Sequence, residues 1–556
     1  MKTFRFAALT AILSIAATRT AAPAAHLPKL AVIIVVDQMR ADYIDRFQAD
    51  WTAGLKRIVS HGAWFHDAAY PYLGTVTCAG HATVSTGTFP NVHGVFANAW
   101  WDRKARELIT CTEDSKAHNI SYGPSVKGGE SPRELKVSTF TDQMREQRSA
   151  HVVTLSLKAR SAIMLAGHGG DAVTWLNDTL DGWASSSAYT KDPVAAVKTF
   201  VDANPIDADY GKTWTHALPD SRYQGPDDGL GESAPRGWER TFPHRLTGGG
   251  DKPDAIFHQQ WEASPFADAY LGRMAASLAE SFQLGKHDGT DVLGVSFSST
   301  DIVGHDFGPR SQEVQDMYVR LDRTVGALLD RLDALVGRDE YVVALTADHG
   351  VSMIPDQAIK EGRDAGRITA AAIVDPIEKR MQAALGSGKY IARMTGNDLY
   401  FEHGQFEKLA KSPEALAAVI DTIAATPGIA RVFRADELRG AADSHDPLLR
   451  AAALSYVPDR SGDLIFALKP GWMIGSSGTT HGSASPDDQH VPVVFMGRGV
   501  KPGRYTSAAT PADVTPTLAA LCGATMADVS GHILRAAIAA PAGTRSQKSS
   551  GGRRDP

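Results

Sequence analysis

Six short apolar runs punctuate the chain: KLAVIIVVD (29–37), HVVTLSL (151–157), DAVTWL (171–176), DVLGVSFSS (291–299), YVVALTAD (341–348) and VPVVFMG (491–497). Each is almost continuously apolar and rich in β-branched residues, and stretches of helical character lie between them. Strands without polar alternation are buried on both faces, which is the condition of a parallel sheet covered by helices. The pattern predicts an α/β fold with a central, mostly parallel β-sheet flanked by helices on both faces. Where four of these runs end, the chain turns at Asp37, Lys158, Asp301 and Asp348. Open parallel sheets bind ligands at the carboxyl ends of their strands, so these four side chains are expected to converge on one edge.

Two stretches break the alternation. Residues 205–262, rich in Gly, Pro, Trp and Asp, read as a long surface insertion. Residues 355–465 mix helices such as SPEALAAVIDTIAATPG with short strands such as NDLYFE, and read as a second inserted lobe. The chain opens with a short basic head, an apolar run from Ala7 to about Ala17, and small residues of Ala-x-Ala character. That is the pattern of a signal peptide, assigned to residues 1–25, with a periplasmic or secreted destination. A catalytic region would then span 26–542, and the polar tail 543–556 reads as disordered. No later segment approaches the roughly 20 apolar residues of a membrane span.

Removing Lys2, Arg5 and Arg19 with the signal takes the formal net charge from −6 to −9, which gives nucleic acid no bulk attraction. Cys78, Cys111 and Cys522 are too few for a disulfide framework and leave at least one thiol unpaired. Core packing must therefore supply most of the stability.

The candidate chemistry lies at the strand ends. In SSTDIVGHDFG, Asp301 and His305 stand four residues apart after a strand, a spacing that lets a carboxylate and an imidazole face one ion. ALTADHG places Asp348 and His349 together at another strand end; GWMIGSSGTTHGSASPDDQH offers His481, with His490 further on; Asp37 closes the first strand. Singly, each has a plain structural reading, the aspartates as helix caps and the histidines as surface residues. Together they supply three ligands apiece for two zinc ions. Thr77, in YPYLGTVTCAGHATVSTG, stands where a small-residue helix begins, and alone reads as an N-cap.

The set VVDQMR, TVTCAGHATVSTGTFPNVHG, STDIVGHDFGP, TADHG and TTHGS resembles the alkaline phosphatase superfamily, in the threonine-nucleophile branch related to nucleotide pyrophosphatases/phosphodiesterases. The motifs occur in family order across residues 37 to 481. SLKARSAIM extends the likeness to the phosphate-irrepressible periplasmic alkaline phosphatases. The resemblance implies Thr77 as nucleophile and Asp301, His305 and His481 as one zinc site. It implies Asp37, Asp348 and His349 as a second zinc site, which also takes the Thr77 oxygen, and Asn98, Lys158 and Arg160 as a phosphate clamp. Between His481 and His490, the THGS context favours His481.

The implied activity is hydrolysis of small-molecule phosphate monoesters through a phosphothreonine, with two zinc ions per chain and no nucleic-acid partner. A monoester dianion gives Lys158 and Arg160 more to grip than a diester does. The helix start is expected to turn the N–H groups of Cys78 and its neighbours toward phosphate, with Gly80 and Ala79 keeping the approach open. Cys78 is expected to be a small packed residue, since CAGHA lacks the Pro and Arg of a sulfatase motif. The FANAWWDR aromatics are expected to form pocket wall and core. His81, His93 and His168 are expected to be structural. The alternatives are a phosphodiesterase or nucleotide pyrophosphatase on the same scaffold, and a non-catalytic zinc- or phosphate-binding relative.

Overall fold

The computed structural model describes residues 27–539; the expected signal peptide and tail lie outside the described residues. Among these residues, ten strands form one sheet: β1 (Leu30–Val36), β2 (Ala63–Phe65), β3 (Asn119–Ser121), β4 (Val152–Ser156), β5 (Ala172–Leu176), β6 (Trp183–Ser186), β7 (Asp291–Phe297), β8 (Tyr341–Thr346), β9 (Val493–Gly497) and β10 (Gly503–Tyr505). Their spatial order is β10-β2-β9-β8-β1-β7-β4-β5-β6-β3. The five strands from β8 to β5 run parallel, and antiparallel pairs enter on both sides. All six apolar runs are strands of this sheet. The four unforeseen ones, β2, β3, β6 and β10, have three or four residues each, too few to carry a periodic signal.

Every residue of β1 is at most 1% exposed, which is what a strand covered on both faces requires. Helices α1 (Thr77–Thr86), α2 (Ala159–Ala166), α3 (Pro265–Ser281), α4 (Ser299–Phe307) and α5 (Gln312–Leu335) contribute to that cover. The register aligns the strand ends: Val36 lies opposite Phe297, Val35 opposite Thr346, and Ser296 opposite Ser156. The residues that follow, Asp37, Lys158, Asp348 and the start of α4, therefore leave the sheet at one edge.

Residues 391–395, 398–401, 464–468 and 429–434 pair in that order as a separate antiparallel sheet. It packs with helices at 370–385 and 413–424 around its own apolar cluster, which includes Ile377, Leu399, Ile423 and Phe466.

The stretch 205–262 is not the surface decoration its polar, Gly-rich composition suggested. Its Trp214, Leu246, Phe257 and Trp261 are fully buried in the main core. Four large apolar side chains outweigh the many turn residues between them, because burying one is worth about 1.5–3 kcal/mol. Trp214 Nε1 also donates to the buried Asp316 carboxylate on α5 at 2.6 Å. The same stretch reaches the end of α4, where the Ser233 N–H donates to the Asp306 carbonyl at 2.8 Å.

Trp214→Ala empties a core site and removes a partner of Asp316, so a loss of about 3–5 kcal/mol is expected from the urea midpoint. A loss within about 0.5 kcal/mol would return the stretch to the surface.

Candidate active site

Thr77 is the first residue of α1 and is 1% exposed. Its hydroxyl does not cap the helix. The cap position belongs to Val76, whose extended backbone offers no side-chain acceptor. The Thr77 Oγ1 instead lies 3.4 Å from His349 Nε2. Helix α1 can come this close to the end of β8 because residue 80 is glycine. A Cβ there would stand 2.1 Å from the Asp348 carbonyl oxygen. Gly80 thus makes room for the protein's own backbone and not, as expected, for a tetrahedral ligand.

The three expected histidine ligands share one device. Nδ1 of His305 faces the Thr479 carbonyl at 2.8 Å, that of His349 the Gly350 carbonyl at 2.9 Å, and that of His481 the Thr75 carbonyl at 2.8 Å. A carbonyl oxygen only accepts, so each Nδ1 carries a proton, and in the neutral ring Nε2 presents a lone pair. The Nε2 atoms point at carboxylates. His305 and His481 lie 3.2 and 3.7 Å from Asp301 Oδ1, and His349 lies 3.5 Å from Asp37 Oδ1 and 3.4 Å from Asp348 Oδ2. Fixing the tautomer through the second ring nitrogen is how proteins orient metal-binding imidazoles.

Lone pairs aimed at carboxylate oxygens repel unless a cation lies between them. Asp37 Oδ1 and Asp348 Oδ2 are buried and have no hydrogen-bond donor. Ligand atoms of Asp301, His305 and His481 lie within 4.8 Å of one another, as do those of Asp37, Asp301 and His349. This buried oxygen and imidazole set fits two divalent cations of the zinc type. Asp301 belongs to both groups, while Asp348 is in neither, its undonated Oδ2 lying 3.4 Å from His349 Nε2.

Burial and the neighbouring Asp348 push the Asp37 carboxyl well above the usual carboxylate range. Burial also opposes ionisation of Asp301, but His305 and Lys158 prevail and hold it well below that range. Burial, with His349 and His305 nearby, holds the His481 imidazole well below its ordinary value.

The clamp residues are arranged differently from expectation. Lys158 Nζ lies 2.6 Å from Asp37 Oδ2 and 2.5 Å from Asp301 Oδ2, a cation between the two carboxylates. Arg160 is in the first turn of α2, its Nε buried without a partner, close enough to Glu262 to help offset the effect of burial on that carboxyl. Asn98 Oδ1 accepts the Cys78 N–H at 2.8 Å, so that N–H is not turned to a ligand as expected. Cys78 is not merely a small packed residue: it forms a disulfide with Cys111, while Cys522 is buried and free. His490 lies outside the constellation, its Nδ1 on the Pro486 carbonyl at 2.9 Å.

Sequence reasoning missed two site residues. Gln38 is buried with φ 68°, in the left-handed region; its N–H donates to Asp348 Oδ1 at 3.1 Å and its Nε2 to Asp301 Oδ1 at 2.5 Å. Strained backbone that joins two site carboxylates marks a held geometry. Its only sequence signal was adjacency to Asp37. His81 was assigned to structure, yet it joins the Thr77 carbonyl (2.9 Å) to Ser296 Oγ (2.8 Å), with Nδ1 3.3 Å from Asp348 Oδ2. His93 and His168 hold local hydrogen bonds, as expected of structural residues. Trp100 packs against Phe96 in the cluster around Cys78 and Cys111, as core.

Residues 31–490 match the model of the type I phosphodiesterase / nucleotide pyrophosphatase family. The chain is 32% identical over 506 residues to a Myroides odoratus protein named a calcium-transporting ATPase, covering 88% of this chain and 91% of that one. It is 32% identical over 515 residues to alkaline phosphatase PafA of Elizabethkingia meningoseptica, covering 89% and 91% respectively. The crystal structure of wild-type PafA superposes with a TM-score of 0.84 at 29% identity, over 92% of this chain and 99% of that one.

Gln38→Ala removes the donor that orients Asp301, so zinc affinity, read by competition with a chromophoric chelator, is expected to fall about 10–100-fold. Unchanged affinity would reduce Gln38 to a packing role.

Proposed function

The chain belongs to the type I phosphodiesterase / nucleotide pyrophosphatase family, and on that premise we propose that it is an alkaline phosphatase acting on small phosphate monoesters through a phosphothreonine. It is a phosphoric ester hydrolase of the alkaline phosphatase kind. The observation that carries the mechanistic reading is the buried threonine hydroxyl, free of any capping role, facing an imidazole whose tautomer is fixed for metal binding.

Asp301, His305 and His481 would hold one zinc ion, and Asp37, Asp348 and His349 a second. When bound, such a pair lowers the pKa of a coordinated hydroxyl or water and neutralises charge at the attacking and leaving oxygens. The rest belongs to the chain. Thr77 Oγ attacks phosphorus, the ester oxygen leaves with a proton as the alcohol, and water then cleaves the phosphothreonine to release phosphate. His349, fixed by the Gly350 carbonyl, keeps its Nε2 beside the Thr77 hydroxyl.

With Asn98 Oδ1 engaged by Cys78, its Nδ2 is left as donor toward a phosphate oxygen. Lys158 and Arg160 supply the positive charge that a dianion demands. Lys158 Nζ bridges Asp37 and Asp301 here, and with metal ions bound to those carboxylates it would be available to the substrate. A diester would bury one oxygen under its second substituent and use that charge less well. This favours the monoester over the family's diester and pyrophosphate chemistry.

The Cys78–Cys111 disulfide suits an oxidising compartment and supports a periplasmic or secreted location. Among the described residues no helix is long and apolar enough to cross a membrane.

The test is turnover of p-nitrophenyl phosphate and bis-p-nitrophenyl phosphate by the protein as isolated, after chelation and after zinc return. Chelation is expected to abolish monoesterase activity and zinc to restore it, while Thr77→Ala lowers kcat by about 10³-fold or more. Lys158→Ala with Arg160→Ala is expected to reduce the monoester-to-diester preference. A wild-type preference for the diester would overturn the monoester reading, and no turnover of either would overturn the enzymatic one.

A further inference from the structure

Asn98 lies at the base of a two-stranded antiparallel ribbon, Ala99–Asp102 paired with Glu107–Thr110. Much of the ribbon faces solvent: Glu107, Leu108 and Thr110 are exposed, and only Trp100 is buried. A two-stranded ribbon is marginal on its own, and here its tip is held by Arg103 on Asp463 and Arg106 on Glu402, while Asn98 stands at the opposite end. Something else must fix Asn98 relative to Thr77.

Three links do so, and they close a ring. The Cys111 N–H donates to the Asn98 carbonyl at 3.0 Å, extending the ribbon ladder by one pair. Cys111 is bonded through sulfur to Cys78, the residue after Thr77. The Cys78 N–H donates to Asn98 Oδ1 at 2.8 Å. Both cysteines are fully buried, packed with Val95, Phe96, Trp100 and Met164.

The last link also sets the direction of the side chain. A backbone N–H demands an acceptor, so the carboxamide is held with its oxygen on α1 and its Nδ2 hydrogens free.

We propose that the Cys78–Cys111 disulfide is a positioning device for Asn98, holding its Nδ2 donor against the phosphate site beside Thr77, so that thiol oxidation sets the enzyme's grip on phosphate. The inference rests on the phosphatase reading above. Forming the bond removes two protons and two electrons from the paired thiols, which an exchanging disulfide takes up as it is reduced to two thiols. The zinc ligands lie outside the ring, so the reduced chain keeps its metal site and nucleophile and loses orientation at the clamp.

The experiment is a double-mutant cycle with Cys111→Ala, Asn98→Ala and the two combined. It reads KM and kcat for p-nitrophenyl phosphate, inhibition by inorganic phosphate, bound zinc and the melting temperature. Cys111→Ala is expected to weaken phosphate inhibition and lower kcat/KM by about tenfold, with bound zinc unchanged. In the Asn98→Ala background, removing Cys111 is expected to change either quantity by about twofold or less.

Equal losses in both backgrounds, or unaltered phosphate inhibition in Cys111→Ala, would overturn the proposal while leaving the phosphatase reading in place. A wild-type protein without monoester turnover would overturn both, and an Asn98→Ala variant with undiminished grip on phosphate would overturn the proposal alone. Should Cys111→Ala fail to fold, Cys78→Ala with Cys111→Val, which refills the volume of the lost sulfurs, carries the same comparison.

Discussion

Three carboxylates, Asp37, Asp301 and Asp348, are buried within a few ångströms of one another at the end of one sheet, and the rest of the structure is organised around that charge. Buried carboxylates are tolerated only when paired, hydrogen-bonded or bound to metal. Lys158 answers part of the demand, Gln38 and the His349 N–H another part, and the undonated oxygens of Asp37 and Asp348 mark the remainder. Imidazoles with fixed tautomers stand opposite these oxygens. Such a cluster costs stability by itself and becomes favourable with divalent cations bound, so stability and function meet at the same atoms.

The sheet makes this concentration of charge possible. Parallel strands bring their carboxyl ends to one edge, and the apolar bodies of β1, β7 and β8 hold those ends level. Close approach of α1 to β8 then depends on Gly80, whose missing side chain lets the nucleophile helix rest on the Asp348 backbone. The pieces that look peripheral also serve the centre. The stretch 205–262 buries two tryptophans in the core and bonds to the end of α4 beside His305. The ribbon bearing Asn98 is tied to α1 through Cys111.

The likeness to alkaline phosphatase PafA extends over nearly the full chain, in sequence and in fold. Two of the residues proposed to grip phosphate are tied to the candidate metal residues or to α1. Lys158 bridges the cradle's carboxylates, and Asn98 is hydrogen-bonded to the residue after the nucleophile.

The sequence by itself determined the α/β class, six strands of a mostly parallel sheet and the polar residues at their ends, because apolar continuity and strand-end polarity are local properties of the chain. It also carried Thr77, Asn98, Lys158 and Arg160 through ordered motifs, though not their mutual geometry. Only the tertiary structure decided that Asp301 stands between both ligand groups, that Gln38 and His81 hold the site, that His490 lies outside it, and that Cys78 pairs with Cys111. It also decided that 205–262 sends Trp214, Leu246, Phe257 and Trp261 into the core. These are all contacts between residues distant in the chain or hidden within motifs, and no local periodicity encodes them. Burial and hydrogen-bond geometry exist only once the strands have brought their ends together.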